Sequence, residues 1–275
     1  MLAQAEKAAI FQALHEGNRP FVIGNPWDAG SARILTSLKY EALSTTSAGL
    51  AFALGRKDGT AAVTREEALA NARSIVEATN LPVAADLENG YGHTPEDAAA
   101  TIRLAAGAGL VGGSIEDATG NETKPIYEFH HAVERVAAAA EAARALSFPF
   151  MFVARAENYL HGRRDLDDTI RRLQAYEKAG AAVLYAPGLA TPDEIRTVCS
   201  SVTKPVNVLM GLKGAPRLTV AELGELGVRR ISIGSGFSRA ALTAFLHAAR
   251  EVIDEGTFSF ADEAMYLSQL TAMFS

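Results

Sequence analysis

The chain of 275 residues is 48% hydrophobic and sets 32 acidic against 26 basic side chains, a formal charge of −6. That length supports a large α/β core. The acidic balance without a basic run argues against a nucleic-acid partner, and no apolar run reaches the roughly 18 residues of a membrane span. A single cysteine, Cys199, leaves no intrachain disulfide framework, and the N-terminus lacks the apolar stretch of a signal peptide, so the expectation is a soluble cytoplasmic protein.

Residues 1–17 read as an amphipathic helix with charges throughout. The first strand candidate, FVIGNPW (21–27), ends in Trp27 and Asp28, with no G-x-G-x-x-G after it. The second, ALSTTSA (42–48), runs into Gly49, and Asp58 lies in the loop beyond. A helical pattern over 64–80 leads to the third, LPVAADLE (81–88), and another over 94–109 leads to the fourth, GLVGGSIED (109–117). The fifth is FPFMFVARAE (148–157), and a helical pattern over 165–180 leads to the sixth, AAVLYAPG (181–188). KPVNVLM (204–210) and VRRISIGS (228–235) complete eight. Most are continuous apolar runs, as expected of parallel strands covered by helices. Helices open on Thr64 with Glu67, Thr94-Pro95 with Asp97 and Thr191-Pro192 with Glu194, and close near Gly107, Gly180 and Gly227. From Arg239 the tail gives two further helices, the last carrying Phe260, Met265, Leu267, Leu270 and Phe274, too apolar to stay exposed. Eight β-then-α units favour a TIM-type (β/α)₈ barrel as one domain over 1–275, with a helical extension from about 238. A doubly wound open sheet is the rival.

In a barrel the active site lies at the C-terminal ends of the strands. Asp86 and Glu88 fall there, two residues apart and so on one face, with Glu116 at the matching level of the next strand. Acids converging without His or Cys form a hard-oxygen set suited to Mg²⁺ (or Mn²⁺). They could equally be helix caps or surface charges. Arg155, behind Phe-Met-Phe-Val-Ala, needs a partner. It either closes an ion pair with Glu157 or a strand-four acid, or holds a substrate carboxylate or developing oxyanion. Thr45-Thr46-Ser47-Ala48-Gly49 is either a carboxylate cradle or a small-residue turn. Trp27 and Asn207 are further candidate substrate contacts.

These residues resemble the isocitrate lyase / phosphoenolpyruvate mutase superfamily along nearly the whole chain. The likeness is carried by Asn25-Pro26-Trp27-Asp28-Ala29, Thr46-Ser47-Ala48-Gly49, Asp86-Leu87-Glu88-Asn89-Gly90-Tyr91-Gly92, Ser114-Ile115-Glu116-Asp117, Ala154-Arg155-Ala156-Glu157 and Pro205-Val206-Asn207-Val208-Leu209. The resemblance implies a barrel whose eighth helix is swapped between subunits, a homotetramer built as a dimer of dimers, and Mg²⁺ (or Mn²⁺). It implies chemistry on α-keto acids through an enolpyruvate. Asp86 would be the direct metal ligand, with Asp58, Glu88 and Glu116 acting through water. Ser47, Ala48 and Gly49 would cradle a carboxylate, Arg155 would bind substrate, and residues 118–131 would form a gating loop. Lyase members carry a cysteine in Lys-Lys-Cys-Gly-His in that loop. Here the loop reads Ala118-Thr119-Gly120-Asn121-Glu122-Thr123-Lys124, without one. Asn121 and Lys124 either meet a second anionic group of the substrate or stay solvated.

The expectation is a carbon–carbon lyase acting on a small 2-oxo dicarboxylic acid, in concrete form an oxaloacetate decarboxylase, with Asp86, Glu116 and Arg155 at the reacting centre. Isocitrate or methylisocitrate cleavage, phosphonopyruvate chemistry, and α-keto-acid binding without turnover are the alternatives.

Overall fold

The computed structural model describes residues 2–213 and 216–274. Eight strands, all parallel, close a barrel in chain order: β1 (Phe21–Gly24), β2 (Ala42–Ser44), β3 (Val83–Asp86), β4 (Gly112–Glu116), β5 (Met151–Arg155), β6 (Val183–Tyr185), β7 (Val206–Leu209) and β8 (Arg230–Ser232), with β8 returning to β1. The helices, in chain order, are α1 (Gln4–Glu16), α2 (Ala29–Ser37), α3 (Ser47–Ala53), α4 (Arg65–Glu77), α5 (Pro95–Gly107), α6 (Phe129–Arg144), α7 (Leu166–Ala179), α8 (Pro192–Ser200), α9 (Val220–Glu225), α10 (Gly236–Arg250) and α11 (Leu267–Ala272). The open-sheet alternative is thereby excluded.

The continuous apolar strands split between two layers. On β5, Phe152 and Ala154 join the outer core under the helices, while Met151 and Val153 fill the barrel lumen. Period two therefore turns Arg155 inward at the mouth. The expected caps at Thr64, Thr94 and Thr191 all form, each accepting from the backbone N–H three residues on. Gly180 ends α7 at φ 108°, and Gly227 follows α9 at φ 95°. α5 ends on Gly107 as expected, with the left-handed turn two residues later at Gly109.

Helix α1 stoppers the N-terminal end of the barrel. Phe11 is fully buried and joins Ile23, Ala84 and Met151 in the lumen. Gly112 is needed here, because a Cβ on it would lie 2.8 Å from Phe11 Cε1. Gln4 Nε2 donates to the carbonyls of Ala106 (2.8 Å) and Leu110 (2.9 Å), and Lys7 Nζ to that of Thr79 (2.8 Å). Burial pushes the His15 imidazole down to about 3, so the neutral ring donates from Nδ1 to Phe11 O at 2.7 Å.

The barrel's stagger lines up one row of cross-strand neighbours: Glu116, Arg155, Tyr185, Asn207 and Arg230. Glu116, Arg155 and Tyr185 end their strands, whereas Arg230 begins β8. A polar row thus descends the lumen from the mouth to the stopper, where Arg230 sits 5.9 Å from the Phe11 ring centroid.

Beyond β8 the chain leaves the barrel wall. Only Ser238 of α10 is buried, while Leu242, Phe245 and Leu246 are exposed, Phe245 to 70%. The tail continues through a π-helical turn (Glu251–Glu255) and a 3₁₀ turn (Ser259–Asp262) to α11. The predicted final helix is accordingly shorter than expected, and Phe258, Met265, Tyr266 and Leu267 stay exposed. The end of the tail returns to α2, where Arg33 Nη1 donates to Phe274 O at 2.9 Å.

Phe11→Ala is expected to remove about 3–5 kcal/mol of unfolding free energy, read from urea denaturation at fixed protein concentration.

Candidate active site

The site forms where β2, β3, β4 and β5 end. Asp86 closes β3, accepting from Ser47 Oγ at 3.0 Å, and its own N–H donates to Thr45 Oγ1 at 3.1 Å. The next two residues keep the ladder: Leu87 N–H donates to Ser114 O, and Glu116 N–H to Glu88 O. Glu116 therefore stands level with Glu88, as expected of the pair, while Asp86 matches Ser114. Glu88 takes φ 47° and Tyr91 φ 55°, so the chain turns sharply at the strand end. The convergence of Asp86 and Glu88 rests on this left-handed turn as well as on strand alternation.

Arg155 is the centre of the arrangement. Its Nη1 lies 2.9 Å from Asp86 Oδ1, while Nη2 lies 3.0 Å from Glu116 Oε2 and 2.9 Å from Glu157 Oε1. The guanidinium carbon stands 5.0 Å from the Tyr185 ring centroid. Burial opposes its charge, but Glu157, Glu116 and Asp86 hold it protonated, well above its ordinary value. Both ion-pair partners expected for it, Glu157 and a strand-four acid, are engaged at once.

The acids outnumber this cation. Burial pushes Glu116 well above the usual carboxylate range and raises Glu157; Arg155 pulls against both shifts, and neighbouring carboxylates reinforce them. Burial followed by the charges of Asp86 and Asp58 takes Glu88 to about 7. Asp58 is raised by burial and by Asp86. Behind them Asp117 anchors the floor. It accepts from Glu157 N–H (2.8 Å), Arg172 Nη1 (3.0 Å) and Tyr176 Oη (2.6 Å).

These groups border a cavity of about 1030 Å³ lined by Ser47, Asp58, Glu88, Glu116, Arg155 and Glu157, and also by Tyr91, His93, Asn121, Lys124 and His161. Asp86 joins the cluster through Arg155 and Ser47. The remaining candidates are placed differently. Ser47–Gly49 form the first turn of α3 rather than a strand end, and Gly49 N–H is taken by Thr46 Oγ1. A Cβ on Gly49 would lie 2.9 Å from Trp27 Cβ, so this glycine and Trp27 pack together beside the site. Neither of them, nor Ala48, lines the cavity. Asn207 is buried in the lumen beneath it, donating to Ser232 Oγ at 2.9 Å. Asn121 does line the cavity, but its Oδ1 is spent inside the loop on Thr123 and Lys124 N–H groups.

The oxygen-only set of Asp58, Asp86, Glu88 and Glu116 fits a hard divalent cation, which would lower the carboxyls that burial and their neighbours raise. As they stand, the acids face Arg155 and the cavity. Among the described residues no three His, Cys, Asp or Glu side chains are drawn to metal-ligand spacing.

The sequence marks Glu157 only as an ion-pair partner of Arg155, yet it also lines the cavity. Its position two residues after an inward arginine was the available signal. His161 lies in an irregular loop and left none.

Residues 11–253 match the family model described as phosphoenolpyruvate phosphomutase. A crystal structure from Burkholderia cenocepacia J2315, of a protein provisionally described as a lyase/mutase, superposes with a TM-score of 0.96 at 54% identity, over 99% of this chain and 96% of that one. An uncharacterised protein of Mycobacterium tuberculosis is 35% identical over 246 residues, 89% of each chain. An oxaloacetate decarboxylase of Bradyrhizobium sp. is 28% identical over 230 residues, 82% of this chain and 76% of that one. The 2-methylisocitrate lyase of Escherichia coli is 28% identical over 255 residues, 90% and 84% of the two chains.

A carboxyl that ionises near 7 in the folded protein and near 4.5 in the unfolded chain makes the folded state hold the extra proton between those values. Stability then falls as pH rises from 4.5 to 7. Glu88→Gln is expected to flatten that fall in metal-free protein, read from urea midpoints across the window.

Proposed function

The chain belongs to the phosphoenolpyruvate phosphomutase family, and from that premise we propose that it cleaves the bond at the carbon β to the carboxylate of a small 2-oxo dicarboxylic acid, in concrete form decarboxylating oxaloacetate. Proteins of this superfamily are lyases and mutases, and this chain is an enzyme of that kind. The observation that carries the finer reading is Arg155: a buried guanidinium at the floor of the cavity, held by Asp86, Glu116 and Glu157.

Loss of CO₂ from oxaloacetate leaves an electron pair that collects on the enolate oxygen. Arg155 favours that oxyanion over the uncharged ketone, so its attraction grows along the reaction. Asp86, Glu116 and Glu157 fix the guanidinium plane, so little reorganisation accompanies the change in charge. Ser47 steadies Asp86 from the α3 side. Asp86 would hold Mg²⁺ (or Mn²⁺) directly, with Asp58, Glu88 and Glu116 acting through water. When bound, the ion supplies Lewis-acid polarisation of the substrate's 2-oxo group. The loop from Ala118 to Ile126 lines the cavity through Thr119, Asn121 and Lys124 and would exclude water on closing. It carries no cysteine, which favours decarboxylation over cleavage of a longer tricarboxylate. Relatives named oxaloacetate decarboxylase, at 28% identity, support the same choice.

The assembly follows from the apolar surface of α10 and α11. We assign that surface to a second subunit, with α10 exchanged between barrels and two such pairs forming a tetramer. Phe245 at 70% exposure and Leu267 at 81% are too costly to leave in water on a stable monomer.

The decisive test is a panel of oxaloacetate, methylisocitrate, isocitrate and phosphonopyruvate with added Mg²⁺, followed by formation of pyruvate, or of glyoxylate from isocitrate, above the enzyme-free rate. Oxaloacetate should turn over fastest, chelator should abolish the activity, and Arg155→Met should lower kcat/KM by roughly 100-fold or more; full turnover in chelator would sink the scheme. In sedimentation, the wild type should run at a multiple of the 29.1 kDa chain mass, and Phe245→Asp should shift it towards the monomer.

A further inference from the structure

Decarboxylation ends with a carbanion-like carbon that must gain a proton, and the loop offers no thiol to give one. The proton-bearing groups of the cavity can be narrowed down. Arg155 is committed to three carboxylates and holds its protons tightly. Tyr91 is kept neutral by burial and by the surrounding acids, well above its ordinary range, which makes its phenol a poor donor. Asp58, Glu88 and Glu116 are assigned above to the metal, and Lys124 belongs to the loop; the lining also carries two imidazoles, His93 and His161. Burial lowers the His161 pKa, favouring its neutral form.

His93 is held differently. Its Nδ1 lies 2.6 Å from the Tyr127 hydroxyl, which leaves Nε2 as the nitrogen available to the cavity. Tyr127 is itself fixed. Its ring lies under the Arg135 guanidinium, 4.5 Å from the centroid, and Arg135 donates to the carbonyls of Thr94 (2.9 Å) and Asn89. His131 Nε2 meets the His93 carbonyl at 2.8 Å. Tyr127 also stands at the foot of the loop lining the cavity, where Ala118 bridges Ile126 and Tyr127 N–H donates to Asp117 O at 2.8 Å. One tyrosine thus connects the loop, the acid-bearing floor and the imidazole.

We propose that His93 protonates the enolate carbon in the reaction assigned above, with Tyr127 as its positioning residue; the inference rests on that reading of the site. The C3–C4 bond breaks and its electron pair stays on the pyruvate fragment as enolate. The His93 imidazolium transfers the Nε2 proton to C3, forming the new C–H bond. The ring is left neutral with its Nδ1 proton still directed at the Tyr127 oxygen, and Nε2 regains a proton from solvent at the cavity mouth. Run backwards, the same step removes a C3 proton from bound pyruvate.

That reverse step gives the test. Full-length protein with Mg²⁺ and pyruvate in D₂O is followed by NMR for loss of the methyl proton signal, and oxalate binding is measured by calorimetry on each variant. The expectation is that His93→Gln slows exchange by roughly 100-fold while still binding oxalate. Tyr127→Phe should lower the rate with little change in the pyruvate KM, and His161→Gln should cost less than either. A wild type that exchanges protons beside a His93→Gln variant that keeps pace overturns the assignment and leaves the function standing. Loss of oxalate binding in His93→Gln, or a larger loss of exchange in His161→Gln, also overturns it. A wild type that neither binds oxalate nor exchanges pyruvate protons removes the 2-oxo-acid reading and His93 with it.

Discussion

One guanidinium among acids sets the terms for the rest of the molecule. Arg155 sits within 3.0 Å of carboxylates from β3, from β4 and from beyond its own strand. A buried cation is costly without partners, and buried carboxylates are costly without a cation. Each strand end is therefore placed to answer the others, and the Asp117 network with Arg172 and Tyr176 braces the whole from the helix side. Burial first, and the neighbouring carboxylates after it, raise Glu88, Glu116 and Asp58. A divalent ion and an anionic substrate brought in together would complete what the chain leaves unbalanced.

The barrel was legible because its signals were redundant. Eight apolar runs, threonine caps and intervening helical patterns agreed with one another, and each strand was found within its expected range. The ends were less legible. The run 42–48 contains both β2 and the start of α3, since Thr46 caps a helix that the small residues Ser47, Ala48 and Gly49 also permit. At 81–88 the regular strand stops at Asp86, because the left-handed turn at Glu88 answers to the site rather than to strand propensity.

The site was legible as an inventory and less so as an arrangement. Acids at strand ends announced themselves by composition, as did Arg155 by its apolar run. Whether a residue faces the cavity depends on barrel stagger, which no local pattern carries. Asn207 illustrates this. It shares a cross-strand row with Arg155, yet the stagger sets it lower in the lumen, bonded to Ser232. No local pattern marks His93, because its tie to Tyr127 spans 34 positions of sequence.

The stopper helix at the barrel floor bears on how the chain is made. Its residues leave the ribosome before the barrel strands, yet Gln4 bonds around the start of β4 and Phe11 lies beside Arg230 of the last strand. Its final berth does not exist until the eighth strand has closed against the first. A segment synthesised ahead of the barrel is thus among the last to dock, and its apolar face must wait until all eight strands have been made, the interval in which such surfaces are most prone to misassociation.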